Sequence, residues 1–388
     1  MQSGWTGETG RWKQMLAGGG LLFALTATAE AATYYVAPTG SDANPGTEAQ
    51  PFRTIEKGVT SMNSGDTLLV KDGTYLGQLP HHKPPAGTSW SNPTTIQAYP
   101  GHRPVIVPPG RHDILAQHGI GAAVHMCGTQ YVIFDGFVID GKRSPVYCPD
   151  DPDGHPWTDP GGSGLSLADA GSCPAAHHIR VKNTEIKYAC SAGVAPPDSE
   201  YIEYINLDVH DNGTVDFDHG FYQHGNHILI ENSRIYRNAG WGITNSGGNV
   251  AGSSYNIYRN NLIYNNGRMG RGPGIGIHAS YSASGTPSLN NLVYNNILWG
   301  NKIGIVTNNK AHGTKIYNNT VYGNNVGIEV SGAFWGGSQD TIVKNNISYG
   351  NGGAQQIVNT GTNTILSNNL ITNPQFVNAA SQDFHLQA

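Results

Sequence analysis

The sequence predicts an all-β solenoid, a parallel β-helix with a short N-terminal capping helix, and three observations carry that reading. An asparagine recurs at Asn183, Asn206, Asn232, Asn260, Asn295, Asn318, Asn345 and Asn368, followed three residues on by a hydrophobic residue in every copy but that of Asn345, where Ser348 stands. Successive copies lie 23 to 35 residues apart, the spacing of a solenoid repeat. A second asparagine follows six residues later at Asn212, Asn238, Asn266, Asn301, Asn324 and Asn351. A glycine then recurs at Gly193, Gly220, Gly242, Gly276, Gly304 and Gly327, each before an apolar residue: Val194, Phe221, Ile243, Ile277, Ile305 and Ile328. The runs between are short and β-prone, without helical periodicity, and side-chain amides at corresponding turns can stack from coil to coil.

Each element follows in chain order. Arg11 and Lys13 precede the apolar stretch from Met15 to Ala27, and Ala29-Glu30-Ala31 supplies small residues for cleavage, so residues 1–31 read as a signal peptide. Residues 32–388 then form one β-helix domain, opened by a cap over about residues 33–77. Within the cap, Pro51 opens a stretch with Phe52, Ile55, Val59 and Met62 at helical spacing, an amphipathic helix able to cover the first coil. Export makes disulfides available to Cys127, Cys148, Cys173 and Cys190, with three pairings open. These cysteines flank the insertion from Lys142 to Ala176, in which Asp150, Asp151, Asp153 and Asp159 offer oxygen ligands for calcium without a recognisable calcium loop. The cofactor is therefore open, with Ca²⁺ possible at no clear site, and no other metal centre is expected. His219, His224 and His227 would point apart across a strand and a turn, which speaks against zinc.

A formal charge of −5 with 13% charged residues predicts neither nucleic acid nor an anionic membrane as partner. No later run is long and apolar enough to span a bilayer. The expected product is a monomer, secreted to the extracellular space or periplasm.

The phrases Tyr34-Tyr35-Val36-Ala37-Pro38, Pro51-Phe52-Arg53-Thr54-Ile55, Asp72-Gly73-Thr74-Tyr75 and Ala98-Tyr99-Pro100-Gly101, with the ladder behind them, resemble secreted right-handed parallel β-helix proteins of the pectate-lyase-like superfamily, including relatives of chondroitinase B. The resemblance implies the fold and its handedness over nearly all of residues 32–388. It implies carbohydrate chemistry only broadly, since lyases, epimerases, hydrolases and depolymerases share that architecture. The coil from Phe217 through His219, followed by Arg237-Asn238-Ala239-Gly240, resembles the active-site coil of mannuronan epimerases, which implies roles for Asp218, His219 and Tyr222. This chain lacks the proline that separates Asp and His in that family and places Tyr222 after the pair.

Two coils carry extra residues before the third strand: Asn206 to Gly220 spans 14 residues and Asn260 to Gly276 spans 16, against 10 from Asn232 to Gly242. The insertions predict loops, Thr214 to Asp218 and Gly267 to Pro273, walling a cleft over the strand that begins at Gly242. Alternation places Tyr222, Thr244 and His278 in one outward column and His224, Ser246 and Ser280 in the next. Asp218, His219, Tyr222 and His224 are the candidate catalytic residues. Asp216, Arg237, Arg268, Arg271 and His278 are candidates for substrate binding, the arginines because a uronate carboxylate must be neutralised as its enediolate develops. The expected substrate is an acidic polysaccharide and the expected reaction β-elimination. Carbon-5 epimerisation, glycoside hydrolysis and non-catalytic carbohydrate binding are the alternatives, in that order.

Overall fold

A computed structural model describes residues 30–76, 84–108, 122–126, 128–142, 148, 162–167, 174, 176–195, 199–246, 253–270, 272–278, 286–333, 336–353 and 355–387. Residues 31–388 form one compact unit. Among the described residues, strands pair in parallel from coil to coil in three long sheets of 12, 10 and 6 strands. One coil shows the rule. Leu229–Glu231 joins the first sheet, Arg234–Tyr236 the second and Ile243–Ser246 the third, and Ile257–Arg259 begins the next coil beside Leu229–Glu231. The chain is thus a parallel β-helix, and its core is a set of stacked apolar columns.

The third-sheet column runs Val194, Phe221, Ile243, Ile275, Ile305 and Ile328, all fully buried. This corrects one coil of the expected register. Ile243 pairs with Ile275, not Ile277, so Gly274 is the counterpart of Gly242 and Gly304. The sequence Gly274-Ile275-Gly276-Ile277 satisfies the glycine–apolar pattern twice with the same side-chain parity. Only pairing with both neighbouring coils separates the two choices.

The asparagines divide into two jobs. The anchors from Asn183 to Asn368 all have positive φ, 49° to 57°, a left-handed conformation that asparagine tolerates better than other residues with a side chain. They turn the chain between the first and second sheets, facing outward. The buried amide ladder at that turn runs through the following residue instead, in Asn261, Asn296, Asn319, Asn346 and Asn369. A second ladder, at the corner between the second and third sheets, links Asn212, Asn238, Asn266, Asn301, Asn324 and Asn351. In it Asn266 Oδ1 accepts from Asn238 Nδ2 at 2.9 Å and from the Asn238 backbone at 3.2 Å. Its Nδ2 donates to Ile235 O and Asn301 Oδ1. Each amide thereby satisfies turn groups that would otherwise be buried without partners.

The N-terminal helix spans Ile55–Ser61, capped by Thr54, whose hydroxyl accepts from Lys57 N. Phe52, Ile55, Val59 and Met62 are buried with Val36 and Leu68 of the first coil. Gly58 is needed there, because a Cβ would stand 2.6 Å from Leu68 Cδ1. At the far end, the hairpin Phe376–Asn378 with Asp383–Leu386 lays Phe384 against Trp299 and Tyr322 on the outside of the second sheet. Cys148 is bonded to Cys190, while Cys127, Cys173 and the four aspartates of the insertion lie outside the described residues.

The ladder generates a contrast to be measured by urea denaturation. Asn266→Ala orphans several buried partners and should cost more than about 2 kcal/mol, whereas Asn260→Gly at an exposed left-handed turn should change stability by about 0.5 kcal/mol or less. Equal effects would mean that the buried amides do not hold the coils.

Candidate functional site

With Gly274 in register, both long coils span 14 residues from anchor to glycine, and the short coil of Asn232 lies between them. Each loop departs from the buried ladder at an Asn-Gly step, Asn212-Gly213 and Asn266-Gly267, and both glycines have φ of 88°. That conformation lets the chain leave the ladder where a β-carbon would be strained.

The first loop is closed by Asp218. Its Oδ2 accepts from Thr214 N at 2.7 Å and Val215 N at 2.9 Å, and its Oδ1 accepts from the Ser191 hydroxyl at 3.0 Å. Buried by these contacts, the Asp218 carboxyl is a loop clasp, and its hydrogen bonds run to residues 191, 214 and 215. Desolvation raises its pKa against the pull of those donors. The loop lies tightly on the short coil, where a Cβ at Gly240 would meet Asp216 O at 2.5 Å and His219 Nδ1 at 2.7 Å. The second loop rests on the same coil through Met269 N to Ala239 O at 2.9 Å. Arg268 then reaches across, its Nη2 donating to Gly213 O at 2.8 Å. The walls of the expected cleft are therefore tied together at the corner beside the short coil.

His219, 5% exposed, accepts the backbone N–H of Trp241 on Nδ1 at 3.0 Å. In the neutral ring the proton must then sit on Nε2, making that atom a donor. Tyr222 stands outward at 37% exposure between two imidazoles, its ring centroid 5.3 Å from His219 and 4.5 Å from His224, edge to face with both. Burial of its hydroxyl end raises the phenol pKa, offset in part by a hydrogen bond with Ser246. On the same outward face Thr244 and Ser246 are nearly covered, at 3% and 4% exposure. The open surface is thus at Tyr222 rather than over the Gly242 strand itself.

Other expected members lie elsewhere. The Arg237 guanidinium is held by Asp211 at 2.6 and 3.0 Å and lies over the Tyr236 ring, at the corner after the second sheet. Its charge is already neutralised there, so it is not the free cation expected. Asp216 sits half-buried in the first loop. His278 pairs with Ser246, one column beyond the Tyr222–Thr244–Gly276 row, a second consequence of the two-residue shift. Arg271, and the side chain of His278, lie outside the described residues. His227 is stacked between Tyr201 and Tyr255 at the opposite turn, far round the coil from His219. Among the described residues no group of three or more His, Cys, Asp or Glu is arranged to hold a metal.

Three participants were not singled out from sequence. Ser191 supports Asp218 from the preceding coil. Lys302, exposed, lies beside the second loop with its Nζ 3.4 Å from Gly270 O, adding a cation to Arg268. Trp241 places its indole on the outward face, over Gly276. The Asn-Gly steps would have signalled both loops; nothing local signals the indole's direction.

A family model described as the Pel9A-like, right handed beta helix region matches residues 34–346. Among solved structures the chain is similar to pectate lyase Pel9A, at 17% identity and TM-score 0.64 over 90% of this chain and 84% of that one. It is also similar to the lacto-N-biosidase of Eubacterium ramulus (15%, TM-score 0.55, 88% and 68%). A third likeness is to the mannuronan C-5 epimerase AlgE4 A-module of Azotobacter vinelandii (18%, TM-score 0.51, 79% and 80%). At these identities the likeness is one of fold. Among curated proteins, a 41-residue stretch is 44% identical to the uncharacterized protein YwoF of Bacillus subtilis (strain 168), spanning 11% of this chain and 9% of that protein.

The clasp and the bridge each carry an expectation. Because its folded pKa is raised, Asp218 contributes stability that is present below the ordinary carboxylate pKa and lost as pH rises through the raised value. Asp218→Asn should remove that slope from urea midpoints taken across the carboxylate range; an unaltered slope would assign it to another group. Arg268→Ala should speed proteolytic nicking of residues 213–218 and weaken binding of an acidic polymer more at low salt than at high. Loops cut no faster, together with salt-independent binding, would remove Arg268 from both roles.

Proposed function

We propose that this chain, which belongs to the Pel9A-like right-handed β-helix family, is a secreted lyase that cleaves uronate-containing polysaccharide by β-elimination. The observation that carries the reading is Tyr222, exposed on a strand between two imidazoles, in the coil whose loop is bridged by Arg268. Secretion rests on the character of residues 1–31 and is in keeping with the Cys148–Cys190 bond.

In β-elimination the C5–H bond breaks, its electrons form the C4–C5 double bond, and the C4–O bond breaks toward the departing oxygen. A base must take the first proton and an acid must give one to the leaving group. The raised pKa of Tyr222 keeps the phenol protonated at neutral pH, which suits it to be the acid. His224, beside it on the outward face, is assigned as the base. His219 can only donate from Nε2 while Nδ1 is occupied, so its part is to bind the uronate carboxylate as charge moves onto it. Asp218 acts by holding the loop.

Epimerisation begins with the same proton abstraction and returns a proton to the opposite face. Hydrolysis needs two carboxyl groups about 5–9.5 Å apart. The clasped Asp218 weighs against it, as does Glu329, which lies four strand steps from Tyr222, or roughly 19 Å.

Incubation with pectate, alginate, glucuronan and glycosaminoglycans, with calcium and with chelator, separates these outcomes. Ultraviolet absorbance of an unsaturated uronide is expected. Solvent hydrogen at carbon 5 without absorbance would replace the lyase by an epimerase, and reducing ends without unsaturation by a hydrolase. Tyr222→Phe and His224→Ala should each lower turnover by about 10²–10⁴-fold with little change in binding. Wild-type turnover in both folded variants would place the chemistry on another coil.

A further inference from the structure

The two ends of the solenoid are finished differently. At one end the helix Ile55–Ser61 covers the first coil. At the other, Ile365–Ser367 is the last strand of the 12-stranded sheet and Ile357–Asn359 the last of the 6-stranded one, so the outer backbone groups of both have no further strand to pair with. The core columns stop there as well. Val343 is fully buried, yet Leu366, which pairs with it and continues its inward column, is 45% exposed. Leu366, Ile357 and Ile371, the last 52% exposed, line a concavity of about 800 Å³ together with the amides of Gln356, Asn359 and Asn369. One amide ladder is also unfinished. The other is closed by Gln356, whose Oε1 accepts from the backbone and Nδ2 of Asn351 at 3.0 and 2.9 Å. Asn369 accepts from Asn346 in the same way and donates Nδ2 to Val343 O at 2.8 Å, but no asparagine of a following coil is there to accept from it. The C-terminal hairpin does not cover this end, because Phe384 lies against Trp299 and Tyr322 on the outside of the second sheet.

A solenoid end without cover favours association, and the character of this surface indicates with what. From Asn345 to Gln382 the chain holds no Asp, Glu, Lys, Arg or His. The end therefore lacks the charges that ordinarily keep strand edges apart. A surface of aliphatic side chains and amides, each amide both donor and acceptor, is complementary to itself, whereas a charged partner would lose hydration against it with no opposite charge in return. A two-fold axis brings two such edges together antiparallel, with the same patch on both sides. We infer that the open end is an isologous interface at which two copies of this chain join tail to tail, in place of the monomer that the sequence suggests. Association closes at two, because the capping helix leaves no second open end for a head-to-tail filament. The strand of Tyr222 is five steps from Ile357–Asn359 in the third sheet, roughly 24 Å, so each copy keeps its own Tyr222 coil clear of the contact.

Sedimentation equilibrium of the secreted chain, residues 32–388, over the micromolar range should give twice the mass of one copy and no larger species. Replacing Leu366 and Ile371 together by Lys, or together by Glu, sets like charges against each other across the axis and should weaken association at least about a hundredfold. Mixing the Lys and Glu proteins should restore the two-copy mass, which a folding defect would not do. Hydrogen exchange of the unaltered chain gives a second readout: amides of residues 357–359 and 365–371 should exchange more slowly as the protein is concentrated, while those of Thr33–Val36 should not change. If the substituted proteins do not fold, the exchange measurement alone decides. A chain that stays monomeric, a two-copy species that survives both charge variants or forms without slowing these amides, or a series of ever larger species would each overturn the inference.

Discussion

The interaction on which the rest of this structure depends is the in-register pairing of each coil with the next. Parallel strands can stack indefinitely only if every turn satisfies its own buried backbone groups, and here the asparagine side chains do so. Once those amides are linked, the position of each corner is set by its two neighbours. Coils of different length must then place their surplus outside the stack. The site is the outcome of that rule: two surplus segments emerge at the same corner, two coils apart, and meet over the short coil between them.

The paired strand and the loops held by side chains are therefore adjacent in the chain. Tyr222 belongs to a strand paired in register, with His224 just past its end, while Asp218 and Arg268 hold the loops of the same corner. Charge is distributed in the same manner. Most cations on the sheets are matched to carboxylates of adjacent strands, such as Arg180 with Glu203 and Arg259 with Glu231, both at 2.6 Å. Such part-buried surface pairs leave few cations of the sheets for a ligand. At the second loop, by contrast, Arg268 and Lys302 donate to the backbone carbonyls of Gly213 and Gly270.

Much of the fold could be read from sequence because periodicity is a one-dimensional record of stacking. The columns through Phe221, Ile243 and Ile305, the capping helix and both loops follow from spacing alone. The register of one coil did not, since Gly274 and Gly276 present the same pattern and differ only in what lies beside them. The site was less legible for the same reason. Asp218 is satisfied by Ser191 from 27 residues earlier, Arg237 by Asp211 from 26 residues earlier, and Trp241 crosses to a strand 35 residues later. Side-chain partners in a solenoid come from the next coil, and local pattern does not say which coil will claim a residue.

The Asn-Gly steps at the loop roots have a further consequence, for chemical ageing. In a mobile chain this dipeptide is the one most prone to cyclise, the glycine nitrogen attacking the asparagine amide and ammonia leaving. At Asn212-Gly213 and Asn266-Gly267 the attacked amide is clamped in the ladder, and the glycine nitrogens donate to Ala189 O and Asn238 O. Neither partner can turn to meet the other while the coils are stacked. An aspartate formed there after local opening would return to the ladder without its donors and with a buried charge. Each lesion would therefore hinder reclosure of the very corner from which a site loop departs, so that deamidation at these two steps is confined to chains that have already come apart.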